Sequence, residues 1–145
     1  MGSHRVFVDT GAWYAVQVAD DEWHRDAVET LRGIVGGPHV LVTSNHVVGE
    51  TYTLLRVTCG HAAAVRFLDQ LDDSRRLERI SVQPDHEARA FRLLRQFTDQ
   101  EFGFVDACSF VVMRSERIRH VFAFDQHFAT AGFVRLPVDM PVDQL

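Results

Sequence analysis

The chain has 145 residues, of which 46% are hydrophobic and 24% are charged, a composition typical of a globular domain with a substantial core. Fifteen basic and twenty acidic residues give a net charge of -5, so the chain lacks the basic excess that usually marks a nucleic-acid-binding protein. No apolar run approaches the ~20 residues of a membrane span, and no signal-peptide pattern opens the chain. We therefore expect a single domain over residues 1–145, a cytoplasmic location and no membrane partner.

Strand-like and helix-like segments alternate along the whole chain. In chain order, the predicted strands are residues 6–8, 40–42, 77–82, 120–124 and 133–136. The predicted helices are residues 21–34, 45–58 and 61–71, a helix that begins near residue 84, residues 105–115 and a short helix at 126–130. This alternation predicts an α/β fold in which a central, mostly parallel sheet of four to five strands lies between layers of helices.

Local signals set the ends of several predicted helices. Asp21 is a suitable N-cap for the first helix. Ser44 or Asn45 is predicted to cap the second, and Gly60 lies beyond its end. Pro84 suits the first turn of a later helix, because proline there sacrifices no intrahelical hydrogen bond.

Two carboxylates follow predicted strands directly. Asp9 comes after the apolar run 6–8, and Asp125 comes after the run 121–124. Ligands of open α/β sheets bind beyond the carboxyl ends of the strands, where both acids are expected to lie. The two strand ends therefore indicate one shared site.

Two further carboxylates lie in predicted helices beside apolar residues. At about 100° per residue, Glu50 falls inside a largely apolar arc that includes Val47 and Leu54. Asp106 shares a stripe with Phe110 and lies in the first turn of its helix, where the helix dipole favours an anion. Both acids are thus predicted to face the interior or its edge.

Each of the four acids also has a purely structural interpretation. Asp9 is able to start a turn, and Asp125 is able to cap the short helix that follows it. Asp106 fits an ordinary first-turn acid, and the side chain of Glu50 is long enough to reach solvent from the edge of its arc. Four acids that converge on one pocket would repel each other, however, and one bound divalent cation explains all of them together.

Four segments that contain these acids, and one closing segment, occur in a characteristic order. They are Val6–Trp13 (VFVDTGAW), Val47–Leu55 (VVGETYTLL), Phe104–Phe110 (FVDACSF), Phe122–Phe128 (FAFDQHF) and Ala131–Pro137 (AGFVRLP). Together they resemble the PIN-domain ribonucleases, and within that family the VapC-type toxins of toxin–antitoxin pairs. The resemblance covers nearly the whole chain.

The resemblance implies a three-layer PIN-like domain with the activity of a Mg²⁺- or Mn²⁺-dependent endoribonuclease, which hydrolyses RNA phosphodiester bonds with a metal-activated water. It carries over the acidic quartet Asp9, Glu50, Asp106 and Asp125. Direct metal coordination is expected first from Asp9 and Asp106, because Mg²⁺ is commonly held by one or two carboxylates. Glu50 and Asp125 would then be secondary ligands or act through water.

The resemblance also implies partners. These are an RNA substrate of the tRNA or rRNA class, a cognate antitoxin protein that blocks the pocket, and a second copy of the chain in a homodimer. Trp23 and Leu55 are large apolar residues suited either to such contacts or to the core.

Other polar residues have open roles at this stage. Thr10 and Ser109 are candidate hydroxyls behind the metal ligands, with core or capping roles as the alternative. The chain contains no lysine, so arginine alone would position phosphate. The local arginine groups are Arg75, Arg76 and Arg79; Arg89, Arg92 and Arg95; and Arg114, Arg117 and Arg119. A solvated helix face is the alternative for each group.

Two other functions compete with the toxin. One is a PIN nuclease of RNA processing or DNA repair without an antitoxin, and the other is a catalytically silent PIN-like binding module. The silent module predicts the loss of one of the four acids, and none is lost. A zinc hydrolase is disfavoured because the eight histidines form no HxH or HExxH pattern, which predicts surface or capping roles for most of them.

Overall fold

The computed structural model describes residues 2–145, and over that range a five-stranded sheet is flanked by seven helices. The strands are β1 (Arg5–Val8), β2 (Val40–Ser44), β3 (Leu77–Ile80), β4 (His120–Ala123) and β5 (Val134–Pro137). The helices are α1 (Thr10–Gln17), α2 (His24–Gly36), α3 (Asn45–Cys59), α4 (His61–Asp73), α5 (Pro84–Gln96), α6 (Phe104–Ser115) and α7 (Gln126–Thr130). A short 3-10 turn spans Val142–Gln144.

β1 lies at the centre of the sheet, whose strand order is β3-β2-β1-β4-β5, and every neighbouring pair is parallel. The chain extends from β1 to β2 and β3 on one side and then crosses to β4 and β5 on the other. The topology therefore reverses between β1 and β4, and a ligand crevice is expected beyond the carboxyl ends of these two strands. The predicted α/β fold, with a mostly parallel sheet of four to five strands between helices, is confirmed.

The central strands are buried on both faces. Consecutive residues of β1 and of β4, such as Phe7, Val8, Val121 and Phe122, are fully inaccessible to solvent. This pattern is typical of parallel strands covered by helices on each side. Each buried phenylalanine contributes about 1.5–3 kcal/mol relative to an exposed one, so the strand ends next to the site are firmly held.

Helix α1 corrects the sequence analysis, which predicted no helix between the first strand and Asp21. Its eight residues include glycine, threonine and valine, which are weak helix formers. Tertiary contacts decide this segment instead: Trp13 is buried, packs edge-on against Phe67 at 5.7 Å, and donates its indole N–H to Thr43 at 3.4 Å. A helix this short depends on such packing rather than on propensity.

The next helix also begins later than predicted, at His24 rather than near residue 21. Asp21 accepts a hydrogen bond from the Trp23 backbone N–H at 3.0 Å, so it shapes the turn before α2 instead of capping the helix itself. The other local signals are confirmed: the Ser44 hydroxyl accepts from Val47 N–H, and Pro84 opens α5. None of the helices within residues 2–145 is long and apolar enough to cross a membrane.

Candidate active site

Asp9 is held at the carboxyl end of the central strand. Its backbone N–H donates to the carbonyl of Phe122 in the neighbouring strand β4 at 3.1 Å. Its own carbonyl accepts from Ala12 and Trp13 at the start of α1, again at 3.1 Å. The residue is 5% exposed, so its carboxylate is fixed in a nearly dry position.

Asp125 lies at the equivalent end of β4, two residues beyond the last residue of the strand. Its Oδ1 accepts a hydrogen bond from the His127 backbone N–H at 2.8 Å, which caps α7 as predicted. The side chain is nevertheless 42% exposed, and its negative charge contributes to the raised pKa of Asp9. Asp125 therefore combines a capping role with a place in the acid cluster.

Asp106 is the third residue of α6. Its Oδ2 accepts from the Gly103 backbone N–H at 3.2 Å, and its side chain is 18% exposed. This is the first-turn role that the sequence allowed, and it orients the carboxylate toward the carboxyl edge of the sheet. The helix N-terminus contributes partial positive charge at the same point.

Glu50 is exposed, and the apolar arc that surrounds it in sequence is divided by the tertiary structure. Helix α3 buries Val47, Thr51 and Leu55, which recur every four residues. Glu50 and its neighbour Leu54 lie on the adjoining stripe, where Leu54 is 37% exposed. Of the two positions that the sequence allowed for Glu50, the interior and its edge, the structure shows the edge, with the side chain exposed.

Asp9 is coupled to the other three acids through their charges, although the close group of ligand atoms found within residues 2–145 contains Asp106, Asp125 and His127 and not Asp9 or Glu50. Burial raises the pKa of Asp9 to about 7, and the negative charges of Asp106, Asp125 and Glu50 add to that effect. Burial likewise raises the pKa of Asp106, with a further contribution from Asp125, while the Gly103 N–H and His127 oppose it. Carboxyl groups with raised pKa values occur more often at functional sites than on ordinary protein surfaces.

His127 joins this cluster, and the sequence analysis missed it. Its Nδ1 lies 3.5 Å from Asp106 Oδ2 and 3.4 Å from Asp125 Oδ1. Its ring is held edge-on by Phe102, with 5.2 Å between centroids. His127 is an exception to the surface or capping role predicted for most of the histidines. The available signal was its position two residues after Asp125, which places it on the first turn of α7.

The donor set fits a hard divalent cation. Within residues 2–145, no arginine forms an ion pair with any of the four acids; Asp106 and Asp125 have only His127 as a possible cationic partner. The ligand atoms of Asp106, Asp125 and His127 all lie within 4.8 Å of one another. Buried polar atoms of Thr10, Ser109 and His127 also lack hydrogen-bond partners in this part of the chain. Uncompensated carboxylate oxygens are the ligands that Mg²⁺ and Mn²⁺ prefer.

Comparison with known proteins yields a family and a group of relatives. The PIN domain family matches residues 6–134. The 23S rRNA-specific endonuclease VapC20 of Mycobacterium tuberculosis (strains CDC 1551 / Oshkosh and ATCC 25618 / H37Rv) is 42% identical over 132 residues, which cover 90% of this chain and 97% of VapC20.

Solved structures give the same result. The crystal structure of M. tuberculosis VapC20, described as a sarcin-ricin loop cleaving toxin, has a TM-score of 0.82 at 41% identity and covers 89% of this chain and 96% of that one. VapBC2 from Rickettsia felis, bound to a promoter DNA fragment, has a TM-score of 0.68 at 12% identity, with coverage of 90% and 96%. The latter likeness concerns the fold alone.

Proposed function

This chain belongs to the PIN-domain family of nucleases, and from that premise we propose that it is the toxin of a toxin–antitoxin pair and cuts 23S rRNA in a metal-dependent reaction. The observation that carries the proposal is the group of four acids at the reversal of the sheet, where burial, together with the charges of Asp106, Asp125 and Glu50, raises the pKa of Asp9 to about 7. The high similarity to VapC20 along nearly its whole length supports the choice of substrate class. On this proposal residues 1–145 act as one nuclease domain in the cytoplasm, where ribosomes are found.

We assign direct metal coordination to Asp9 and Asp106, with Mg²⁺ as the cation and Mn²⁺ as the alternative. When bound, the cation supplies a Lewis acid for the phosphate oxygens and lowers the pKa of an attacking water. Asp9 is nearly inaccessible to solvent and its backbone is hydrogen-bonded to β4 and α1, so its carboxylate is held in a defined position. Its pKa near 7 means that positive charge is needed to ionise it fully at neutral pH.

The two more exposed acids have a different task. Glu50 and Asp125 face the open side of the crevice, where they can accept hydrogen bonds from water and take up the proton that the attacking water releases. Either is also placed to complete a second cation position. The unpartnered Thr10 and Ser109 hydroxyls are candidate donors to the carboxylates that hold the cation.

An antitoxin would cover an apolar groove beside Glu50. The groove has a volume of about 790 Å³ and is lined by Leu54, Val57 and Phe104, among others, and Val57 is 77% exposed. Leu55, a candidate for this contact in the sequence analysis, is fully buried and is excluded. Trp23 stacks on Phe124 at 4.9 Å and is 41% exposed, so it remains available for the antitoxin or for the partner subunit of a homodimer.

The test is cleavage of 23S rRNA, and of a synthetic hairpin with the sarcin–ricin loop sequence, by the purified protein in Mg²⁺, in Mn²⁺ and in EDTA. Asp9→Asn prepared in parallel controls for contaminating nuclease. Discrete fragments that need a metal and vanish in the variant are expected. Intact rRNA in both metals, from protein shown to be free of antitoxin, would overturn the proposal. Cleavage confined to other RNAs would instead favour the PIN nuclease of RNA processing.

A further inference from the structure

The structure sorts the arginines into those already bound by their own chain and those that are free. Arg76 donates to the carbonyls of Val35 and Gly37 at 3.0 and 2.8 Å. Arg79 forms an ion pair with Asp72 at 2.8 Å. Arg76 thus stabilises the segment after α2, and the charge of Arg79 is balanced by Asp72. Both guanidinium groups are therefore less available to bind phosphate.

A second set lines a groove between α5 and α6, which we call the arginine groove: Arg89, Arg92 and Arg114, with Gln96, Phe97 and Val111. Its volume is about 400 Å³. Within residues 2–145, Arg92 forms neither a hydrogen bond nor an ion pair with another side chain, and it is exposed. Arg114 donates one N–H to the Ala131 carbonyl at 2.8 Å, which fixes the guanidinium and leaves its other donors free.

Arg89 is less available, because it pairs with Asp85 at 3.2 Å and donates to Ser115 at 3.0 Å. The groove therefore presents one free guanidinium, one anchored guanidinium and one that is partly neutralised. Guanidinium groups match phosphate oxygens in a bidentate manner, and they retain their charge at every accessible pH. A phosphate-rich ligand suits this groove better than a neutral one.

The arginine groove adjoins a second cavity, and packed side chains link that cavity to the acid cluster. A neighbouring cavity of about 270 Å³ shares Phe97 and Arg114 with the groove and extends to Phe102. Phe102 packs edge-on against His127, which in turn contacts Asp106. One acid, Asp99, also lines this cavity, so its field is mixed rather than purely positive.

The separation of the arginine groove from the acid cluster is compatible with one RNA strand that contacts both. Asp106 and Arg114 are eight residues apart on α6, which corresponds to about 12 Å along the helix axis. A stacked strand carries one phosphate per about 3.4 Å, so this length corresponds to roughly three to four nucleotides. Phe97, which is 40% exposed at the edge of the groove, offers a face for base stacking.

We propose that the arginine groove binds the backbone of the RNA substrate a few nucleotides away from the bond that is cut. Arg92 and Arg114 hold phosphates and Phe97 supports a base. This inference rests on the proposed function for its substrate, but it assigns a binding surface that is separate from the acids. The groove then supplies the affinity for phosphate that the overall negative charge of the chain does not.

The test measures binding of the sarcin–ricin loop hairpin in EDTA as a function of salt, for wild type, Arg92→Gln, Arg92→Lys and Arg25→Gln. Arg25 is the control, because its side chain on α2 is 91% exposed, forms a long surface ion pair with Glu29 at 3.7 Å and lines none of these cavities. Arg92→Gln is expected to weaken binding about three- to tenfold and to reduce the slope of log K against log salt by about 1, whereas Arg25→Gln changes neither. Arg92→Lys is expected to restore the slope and part of the affinity.

Two results would overturn the assignment. Equal small losses in Arg92→Gln and Arg25→Gln would mean that net charge, rather than the groove, governs affinity. Unchanged RNA binding by Arg92→Gln, together with a changed mass in light scattering, would make the groove a contact between copies of the chain. If wild type binds through Arg92 but cleaves no rRNA in metal, the proposed function fails and the groove stands. If it cleaves and Arg92 is irrelevant, only the groove fails.

Discussion

Asp9 and Asp139 both lie just beyond the end of a strand, yet their surroundings are opposite. Asp139 follows β5 and accepts from the Arg135 guanidinium at 3.0 Å through both of its oxygens, which holds its pKa below the usual value. Asp9 follows β1, has no ion-pair partner within residues 2–145, and its pKa is raised to about 7. The same type of side chain is therefore in a stabilised ionised state at one strand end and resists ionisation at the other, which is the state that we propose for a metal ligand. Burial without a cationic partner accounts for the difference at Asp9, and the Arg135 guanidinium accounts for it at Asp139.

The largest expected effect comes from Asp9→Asn. Removal of this charge without loss of volume should reduce rRNA cleavage by at least about 10³-fold, because the cation loses its most buried ligand. Asp139→Asn is the matched control and should cleave at close to the wild-type rate. Gel analysis of initial rates in Mg²⁺ measures both. Wild-type activity in Asp9→Asn would remove the proposed distinction between the two strand ends.

Asp9→Asn should lower activity but raise the stability of the fold. The pKa of Asp9 is raised on folding, so the folded state is stable with this carboxyl neutral and loses stability as pH rises from about 4 to about 7. In EDTA at pH 8, Asp9→Asn should therefore be more stable than wild type, by on the order of 2–4 kcal/mol. Urea denaturation at pH 5 and pH 8 tests this. Added Mg²⁺ should stabilise wild type at pH 8 and leave the variant unchanged.

His127→Asn tests whether His127 contributes to metal binding beside Asp106 and Asp125. Loss of its ring nitrogen near Asp106 and Asp125 should weaken metal binding about tenfold. Because imidazole favours Mn²⁺ over Mg²⁺, the loss should be greater for Mn²⁺. Titration calorimetry with each metal provides the readout. The same affinity for both metals before and after the change would confine His127 to packing against Phe102.

The smallest effect is expected at the Asp139–Arg135 ion pair that follows β5. Asp139→Asn should destabilise the fold by about 1 kcal/mol at pH 7, the scale of a partly exposed ion pair. The pKa of Asp139 is lowered on folding, so its stabilisation is present above about pH 4 and is lost as the carboxylate becomes protonated at lower pH. The stability difference between wild type and Asp139→Asn should therefore disappear in acid. A difference that persists at pH 2 would assign the effect to something other than the ion pair.

Much of the architecture is predictable from the sequence because it depends on local sequence patterns. Apolar runs of β1 and β4, the Ser44 cap and Pro84 at the start of α5 each depend on neighbours in sequence. Helix α1 is not predictable in this way, since its residues have weak helical propensity and Trp13 is fixed by contacts with Phe67 and Thr43. The error arose where packing outweighed propensity.

The candidate site also has features that local sequence predicts and features that depend on tertiary contacts. The sequence alone determined that two of the four candidate acids, Asp9 and Asp125, follow strands, because strand periodicity and strand ends are local properties. Only the tertiary structure decided that Glu50 lies at the rim, that His127 joins Asp106, and that Arg92 is free whereas Arg76 is not. Burial and charge pairing depend on residues far apart in the chain, and the pairing of β1 with β4 is what brings those residues together.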